Sequence, residues 1–376
     1  MKRIAIFLAY DGQGIIDRYI QYLLKELKNC VDTLVIVYNG MEIKSGKEFL
    51  EESADMLFFR ENEGLDAGGF KDAMCNFIGW SELEKYDELV LVNDSFFGPF
   101  KPMKEVFSEM DLKECDFWGL TKHAEAMIHN KYIPEHIQSY FIVVRERMLH
   151  SNDFKEYWEA MPYYKGYQEV VDNHEIMFTK LFYNKGYSYQ TLANTEKNDS
   201  VNIRENYNQY LYIPYQLVKD CNYPFVKRKA FSLARSSVEI CEECRNLLDY
   251  IESCTDYDVT LIWESLMRMK DVWIENEDLV TVEEKIASFC RENEKVYVYG
   301  TGYFTTKYKH VISGIEAFIV SDGKEKQEKW DGIPVRYLSE LLGMKDIAII
   351  VCLSETYQRE VIPLLEEKGF NNYMHI

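Results

Sequence analysis

The sequence lacks the long apolar runs of a membrane-spanning protein. No stretch approaches the ~20 consecutive apolar residues that a transmembrane helix needs. The N-terminal residues Met1 to Ile4 lead directly into a strand-like run, without the apolar core and small-residue cleavage site of a signal peptide. We therefore expect a cytoplasmic protein, with any contact to the inner face of the plasma membrane being peripheral.

Positive charge is also scarce. The chain has 43 Lys and Arg residues against 63 Asp and Glu residues, a formal net charge of −20. Because nucleic-acid backbones are bound by clustered cations, we expect no nucleic-acid partner. The best local basic patch is Lys227-Arg228-Lys229, which could contact a phosphate or an anionic lipid head group; a solvated turn is the alternative.

Cysteine is present without a recognisable framework. Nine cysteines, an odd number, are scattered along the chain, which is typical of reduced thiols. The one close pair, Cys241-x-x-Cys244, lies among charged residues that indicate an exposed helix, and it lacks the two further ligands of a zinc site. We predict neither disulfides nor structural zinc.

Apolar runs that alternate with amphipathic helices are abundant. Runs without polar alternation predict strands buried on both faces, and apolar residues at three- and four-residue steps between them predict helices. The predicted strands of the first part are Ile4–Ala9, Leu34–Tyr38, Asp55–Phe59, Glu88–Val92, Asp116–Leu120 and Ser139–Val144. This pattern indicates an α/β fold with a doubly wound, mostly parallel sheet.

The length favours more than one domain. We predict a first domain over 1–217, a helical connector over 218–290 and a second, smaller Rossmann-like α/β domain over 291–376. The strands of the last domain are predicted at Lys295–Tyr299, Ala317–Val320 and Ile347–Val351.

Polar and glycine residues follow each of the first four predicted strands. The carboxyl ends of parallel strands share one edge of the sheet, and ligands gather there. The residues that we expect to line this edge are Tyr10, Asp11, Asn39, Asn62, Gly64, Asp66, Gly68, Gly69, Lys71 and Asn93. The glycines and the nearby lysine suit a diphosphate, while an ordinary turn with a capping aspartate is the alternative.

The tripeptide Asn93-Asp94-Ser95 places three oxygen donors after a buried strand. Hard oxygen ligands are those that Mg²⁺ and Mn²⁺ prefer. We therefore predict Asp94 and Ser95 as ligands of a divalent cation that neutralises a departing nucleoside diphosphate. A turn after the strand would explain the same residues.

Four segments together resemble one family. They are Glu61–Lys71, Val92–Phe100, Asp116–Thr121 and His136–Phe141, and over residues 1–235 the chain resembles the rhamnan-synthesis-F family of bacterial polysaccharide glycosyltransferases. The resemblance implies a GT-A-like fold, a nucleoside-diphosphate-sugar donor such as dTDP-rhamnose, and a glycan or lipid-linked acceptor. The edge residues would then bind the donor. Asn93-Asp94-Ser95 would take the place of an Asp-x-Asp motif, from which it departs by having one acidic residue.

An acidic segment, Asp172-Asn173-His174-Glu175, opens a helix predicted over Val171–Tyr183. It resembles the acceptor-side helix of inverting GT-A enzymes, and Glu175 or Asp172 could accept the proton of an acceptor hydroxyl. The alternative is a capping box with Asp172 as N-cap and Glu175 as its partner.

The last domain carries part of a dinucleotide motif. Gly300-Thr301-Gly302 follows a predicted strand and Asp322 follows the next, but Thr305 stands at the third glycine position. The domain resembles nucleotide-binding domains of polysaccharide-biosynthesis proteins, and we expect an accessory role without NAD. The predicted function is a metal-dependent, inverting hexosyltransferase; the alternatives are an NAD(P)-dependent sugar-modifying enzyme and a non-catalytic protein that binds nucleotide sugars or glycans.

Overall fold

The chain forms two compact units, Met1–Asp271 and Val272–Ile376. We describe them from a computed structural model, which covers residues 1–128, 131–193, 209–221, 223–234, 238–275, 282–324, 326–344, 346–353 and 355–376. Within these ranges, no helix combines the length and the apolar character that crossing a membrane requires.

In the described part of the first unit there are thirteen strands. They are β1 Arg3–Ala9, β2 Thr33–Asn39, β3 Met56–Arg60, β4 Glu88–Asn93, β5 Phe96–Phe97, β6 Phe117–Gly119, β7 Lys122–His123, β8 Ala126–Ile128, β9 Lys131–Ile133, β10 His136–Ile137, β11 Phe141–Arg145, β12 Tyr189–Thr191 and β13 Val226–Lys227.

Its α-helices connect and cover these strands. They are α1 Arg18–Lys28, α2 Lys47–Ser53, α3 Leu65–Asp72, α4 Trp80–Leu83, α5 Met103–Asp111, α6 Glu146–Leu149, α7 Asn152–Ala160, α8 Tyr167–Val170, α9 Ile176–Asn184, α10 Gln209–Tyr212, α11 Pro214–Asp220, α12 Arg228–Leu233, α13 Val238–Cys254 and α14 Thr260–Glu275. Two π-helical turns, Ala73–Ile78 and Val171–Glu175, lie between α-helices.

Seven strands form the main sheet in the order β12-β6-β11-β4-β1-β2-β3. The four strands β3, β2, β1 and β4 are parallel, whereas β11 runs antiparallel between β4 and β6. Along β1, Ala5 and Phe7 face one hydrophobic core while Ile4 and Ile6 face the other. Cores on both faces explain the uninterrupted apolar runs, and they confirm the predicted α/β architecture with a mostly parallel sheet.

The helical segment 218–290, predicted as a connector, is split between the two units. Ile240, Leu247 and Ile251 of α13 are buried in the same core as α1 and α5, so residues 218–271 pack as part of the first unit. The structure therefore places the division at 271/272, away from the predicted boundaries at 217/218 and 290/291. Apolar residues recur at helical spacing along α13, and they pack into this core.

The second unit contains a six-stranded sheet in the order β16-β17-β15-β14-β18-β19. Its strands are β14 Val296–Tyr299, β15 Ile315–Val320, β16 Lys329–Trp330, β17 Ile333–Tyr337, β18 Ala348–Val351 and β19 Tyr373–His375, and its helices are α15 Val282–Glu292, α16 Tyr303–Tyr308 and α17 Glu355–Glu367. All neighbouring strands are parallel except the edge pair β16 and β17.

Candidate functional site

The carboxyl ends of β1 and β4 meet at one edge of the first sheet. The backbone N–H of Tyr10, directly after β1, donates to Asp94 Oδ2 at 3.1 Å. The hydroxyl of Tyr19 on α1 donates to the Asp94 carbonyl at 2.9 Å. Two separate segments thus fix Asp94, which follows β4.

The start of α3 joins the same edge. The Asn93 side-chain amide donates to Asp66 Oδ2 at 2.6 Å, and Asn93 Oδ1 accepts the Ser95 N–H at 3.1 Å. The structure therefore brings together Asp66, Asn93 and Ser95, as parallel strand order predicted. Burial raises the pKa of Asp66, although its hydrogen bond from Asn93 and the charge of Lys227 oppose the rise.

Burial has a larger effect on Asp94. Desolvation raises the pKa of this carboxyl to about 7, while the charge of Arg228 and the Tyr10 N–H favour the ionised form. The nearby charges of Asp66 and Asp11 add to the rise. Removal from solvent is therefore the main reason that this carboxyl holds its proton more tightly than a free side chain does.

The basic segment Lys227-Arg228 lies against this carboxylate group. Strand β13 pairs antiparallel with β5, which places Lys227 opposite Phe96. Lys227 Nζ donates to Ser95 Oγ at 3.2 Å and lies 3.7 Å from the ring centre of Tyr140. Burial lowers the pKa of Lys227 to about 8, against the charges of Glu175 and Asp66.

Arg228 completes the basic side of the site. Its backbone N–H donates to the Ser95 carbonyl at 3.1 Å, and its guanidinium lies 5.3 Å from the ring centre of Tyr19. Within the described ranges, its Nε is buried without a hydrogen-bond acceptor. The protein therefore leaves part of this guanidinium unsatisfied. The sequence indicates this segment as a phosphate-binding candidate, but it does not show that the segment lies beside Asp94.

Glu175 reaches the same edge from a long helical segment. Ser139 donates to Glu175 Oε2 through its N–H at 3.1 Å and its hydroxyl at 2.5 Å. Ser139 precedes Tyr140, whose carbonyl accepts the Asn93 N–H. The electrostatic coupling of Glu175 to both Lys227 and Asp66 places its carboxylate in the cluster.

The capping alternative for the acidic segment is wrong. Helix α8 begins at Tyr167 with Gly166 as its N-cap, and the π-helical turn Val171–Glu175 continues it into α9. Asp172 therefore lies inside a helix, where its Oδ1 accepts the Gln168 side-chain amide at 3.0 Å. π-helical turns recur at functional sites, and this one carries Glu175.

His174 is a core residue. It is 3% exposed, and its Nδ1 pairs with the Tyr157 hydroxyl at 2.7 Å. Desolvation lowers the pKa of its imidazole to about 4. Its place is inside the hydrophobic layer, away from the edge where Asp94 lies.

The glycines of the third loop have a packing role. A Cβ on Gly68 would lie 2.2 Å from the Glu63 carbonyl oxygen, and one on Gly69 would lie 2.7 Å from Leu8 Cδ2. Gly64, at φ +73°, lies beneath Tyr163. Close contact within the protein thus accounts for these glycines, where the sequence predicted an approach to a ligand. Asn62 Oδ1 is buried next to them without a partner among the described residues.

Asn39 and Lys71 also make internal contacts. Asn39 is 1% exposed, and its amide accepts from Arg60 at 2.8 Å and donates to the Leu65 carbonyl at 3.3 Å. Lys71 Nζ donates to the carbonyls of Glu159, at 3.0 Å, and Met161. Both predicted donor-binding residues hold neighbouring segments in place.

Asp11 is engaged on both of its oxygens. Oδ1 accepts the N–H groups of Gln13 and Ile15 at 2.9 and 3.1 Å, and Oδ2 accepts from Arg268 of α14 at 2.7 Å. Tyr10 itself is 49% exposed. Of the two residues predicted after β1, Tyr10 is open to solvent and Asp11 shapes the loop.

Residues of the dinucleotide-like motif in the second unit contact other residues of the protein. Asp322, at the position expected for a ribose-binding carboxylate, accepts the N–H of Ser339 at 3.2 Å and also its hydroxyl. Gly300, at φ +106°, packs against the Cys352 carbonyl, 2.9 Å from its would-be Cβ.

The family model described as Rhamnan synthesis protein F matches residues 34–369. The chain belongs to this family. Its sequence is 24% identical to the uncharacterized protein y4gN of Sinorhizobium fredii over 69% of the chain, and 26% identical to the virulence protein VirA of Vibrio anguillarum over 49%. This member of the rhamnan synthesis F family spans 58% and 57% of the length of those two relatives.

Among solved structures, the chain matches that of the glycosyltransferase GlyE of Streptococcus pneumoniae TIGR4. The match covers 98% of this chain and 99% of that one, with 9% sequence identity and a TM-score of 0.33.

Proposed function

We propose that the chain is a GT-A-like, inverting glycosyltransferase that uses a nucleoside-diphosphate sugar and a divalent cation. The sugar is rhamnose or a related hexose, and the acceptor is a cell-surface polysaccharide or a lipid-linked glycan. The observation that carries the proposal is the placement of Lys227 and Arg228 beside Asp94 and Ser95 at the carboxyl edge of a parallel sheet. Membership of the rhamnan synthesis F family supports the same reaction class.

Lys227 and Arg228 are suited to the diphosphate of the donor. Both are half-buried cations, and the buried Arg228 Nε has no acceptor among the residues described. A diphosphate offers several acceptor oxygens and two or more negative charges, which a guanidinium and an ammonium bind through charge-assisted hydrogen bonds. As the sugar–phosphate bond breaks, the same cations stabilise the charge on the leaving group.

Asp94 and Ser95 are suited to Mg²⁺ or Mn²⁺. Desolvation raises the pKa of Asp94 more than Arg228 and the Tyr10 N–H lower it, and a bound cation would favour the ionised carboxylate further. No group of three or more His, Cys, Asp or Glu side chains within the described ranges is arranged to hold a metal. The rest of the coordination would therefore come from the diphosphate and water, as is common for Mg²⁺. Such a cation, if bound by Asp94 and Ser95, would supply electrophilic stabilisation of the leaving diphosphate.

Glu175 is suited to the role of general base. Ser139 fixes one carboxylate oxygen, Oε2, by two hydrogen bonds. The other oxygen would take the proton of the acceptor hydroxyl while that hydroxyl oxygen bonds to the anomeric carbon and the diphosphate leaves from the opposite face. Asp172 is the second candidate, although its Oδ1 accepts the side-chain amide of a helix neighbour, Gln168.

A ligand panel separates the proposed reaction from its alternatives. Ligands that bind the native state raise its melting temperature. We expect dTDP or UDP with Mn²⁺ to raise it, and the matching sugar nucleotide to release nucleoside diphosphate when an acceptor glycan is present. Stabilisation by NAD(H) alone would favour a sugar-modifying enzyme, and stabilisation by glycans without any nucleotide effect would favour a binding protein.

A further inference from the structure

Arg268 of α14 binds the loop that carries Tyr10, although the two segments are far apart in sequence. Its guanidinium donates to Asp17 Oδ1 and Oδ2, both at 2.8 Å, to Asp11 Oδ2 at 2.7 Å and to Gln13 Oε1 at 3.0 Å. Ser265, one turn earlier on α14, donates to Asp17 Oδ2 at 2.9 Å. All of these contacts lie within the first unit.

The three acceptors of Arg268 shape the loop between β1 and α1. Asp11 accepts the N–H groups of Gln13 and Ile15, and its carbonyl accepts from Gly14 and from the Tyr38 hydroxyl. Asp17 is the N-cap residue of α1. Arg268 therefore connects both ends of one loop to α14, although it lies 257 positions after Asp11 in the sequence.

This loop touches the proposed nucleotide site at two points. The Tyr10 N–H binds the Asp94 carboxylate, and Tyr19 in the first turn of α1 binds the Asp94 carbonyl. Loosening the loop would release the Tyr10 contact with Asp94, whereas Tyr19 is 0% exposed and packs edge-on against Phe97. The Arg268 side chain is only 18% exposed, and Asp11 and Asp17 are 8% and 10% exposed, so the pairs are shielded from solvent. Shielded, multiply bonded Arg–carboxylate contacts are the kind that hold geometry.

We propose that Arg268 is a positioning residue of the nucleotide site, acting through the loop from Asp11 to Asp17. This inference rests on the proposed function. If Arg268 has this role, the catalytic unit requires α14, a helix that lies far beyond the strands of the main sheet in the sequence. Arg268 touches no proposed substrate group and acts by holding the loop that fixes Tyr10 against Asp94.

The test compares Arg268→Gln and Arg268→Lys with a matched control, Arg18→Gln. Arg18 also links α1 to α14, through Glu264 at 2.6 Å, but its side chain is 57% exposed. Three quantities are measured on the full chain: hydrogen–deuterium exchange of residues 10–17, the melting temperature, and the Kd of dTDP and UDP with Mn²⁺ by calorimetry well below melting.

We expect Arg268→Gln to accelerate exchange in residues 10–17 and to weaken nucleotide binding about tenfold, as supporting residues of metal sites do. Arg268→Lys should recover part of the affinity, and Arg18→Gln should leave affinity and loop exchange unchanged. A lower melting temperature with an unchanged Kd would assign Arg268 a purely structural role and overturn the proposal. Unchanged loop exchange in Arg268→Gln would overturn it as well.

Failure of the proposed function gives a different result. If the wild-type chain binds neither nucleotide, the glycosyltransferase proposal loses its support, and a positioning role for Arg268 at a nucleotide site is overturned with it. Faster loop exchange in Arg268→Gln would then still identify the contact as the one that orders residues 10–17. The two failures are therefore distinguishable in one set of samples.

Discussion

Lys227 Nζ lies 3.2 Å from Ser95 Oγ, although 132 positions separate the two residues. The contact follows from the pairing of β13 with β5, which brings the basic segment onto the acidic carboxyl end of β4. Residues from both halves of the first unit therefore build one site, and variants on either side of the contact should share a defect in nucleotide binding.

The first prediction concerns Glu175. Glu175→Gln should fold normally, because a glutamine oxygen can still accept both hydrogen bonds from Ser139. It cannot accept a proton at neutral pH, so kcat should fall by about 10²–10⁴-fold with little change in donor affinity. Steady-state kinetics with the active donor measure both quantities.

Asp172→Asn is the matched control for Glu175→Gln, since it makes the same chemical change three positions away on the same helical segment. We expect it to retain near-normal turnover. An active Glu175→Gln enzyme together with an inactive Asp172→Asn enzyme would transfer the role of base to Asp172.

The second prediction concerns Gly68. Gly68→Ala should lower the free energy of unfolding by about 1–3 kcal/mol, because the new Cβ would overlap the Glu63 carbonyl. Gly166→Ala is the control, since a Cβ there meets no atom within 4 Å. Urea unfolding compares the two variants with the wild type. Equal stability of Gly68→Ala and wild type, accompanied by lost nucleotide binding, would restore the interpretation of this glycine as a ligand contact.

The third prediction concerns pH and Asp94. Its pKa is 3.8 for the free side chain and about 7 when folded, so the folded state holds a proton that the unfolded chain has already released. The contribution of this group to stability therefore falls as pH rises from about 4 to about 7, and is constant above. The substitution Asp94→Asn removes this pH-dependent contribution to stability.

In metal-free buffer, the free energy of unfolding of Asp94→Asn relative to that of the wild type should therefore increase from pH 5 to pH 8, by on the order of 2 kcal/mol. Urea unfolding at the two pH values measures the difference. An identical pH dependence for the two proteins would contradict a raised pKa of the carboxyl at this position.

Much of the sheet and part of the site follow from local sequence. The runs at Ile4–Ala9 and Leu34–Tyr38 predicted β1 and β2 within a few residues, because a strand buried on both faces leaves an unbroken apolar run. The meeting of Asp66 with Asn93 followed from parallel strand order. These relationships depend on neighbouring elements.

The rest depends on contacts between distant segments. The pairing of β13 with β5 and the contact of Arg268 with Asp11 have no local signature, so the sequence indicates the basic segment without placing it beside Asp94, and it does not indicate the contact of α14 with the loop after β1. The start of α8 at Tyr167 was missed because Asp172 and Glu175 match a capping box, while the helix continues through them by a π-helical turn. The glycine loop looked open because sequence cannot show Tyr163 packed over Gly64.

In the proposed function, Lys227 binds the diphosphate of a sugar-nucleotide donor. The most direct test is the calorimetric Kd of dTDP and of UDP, each with Mn²⁺, for the wild type, Lys227→Met and Lys229→Met. Lys229 belongs to the same basic triplet but is exposed. Losing one charge-assisted hydrogen bond at a buried site should weaken binding about tenfold or more in Lys227→Met. Lys229→Met should bind within about twofold of the wild type. Absence of nucleotide binding by the wild type, or equal affinities for all three proteins, would contradict the account.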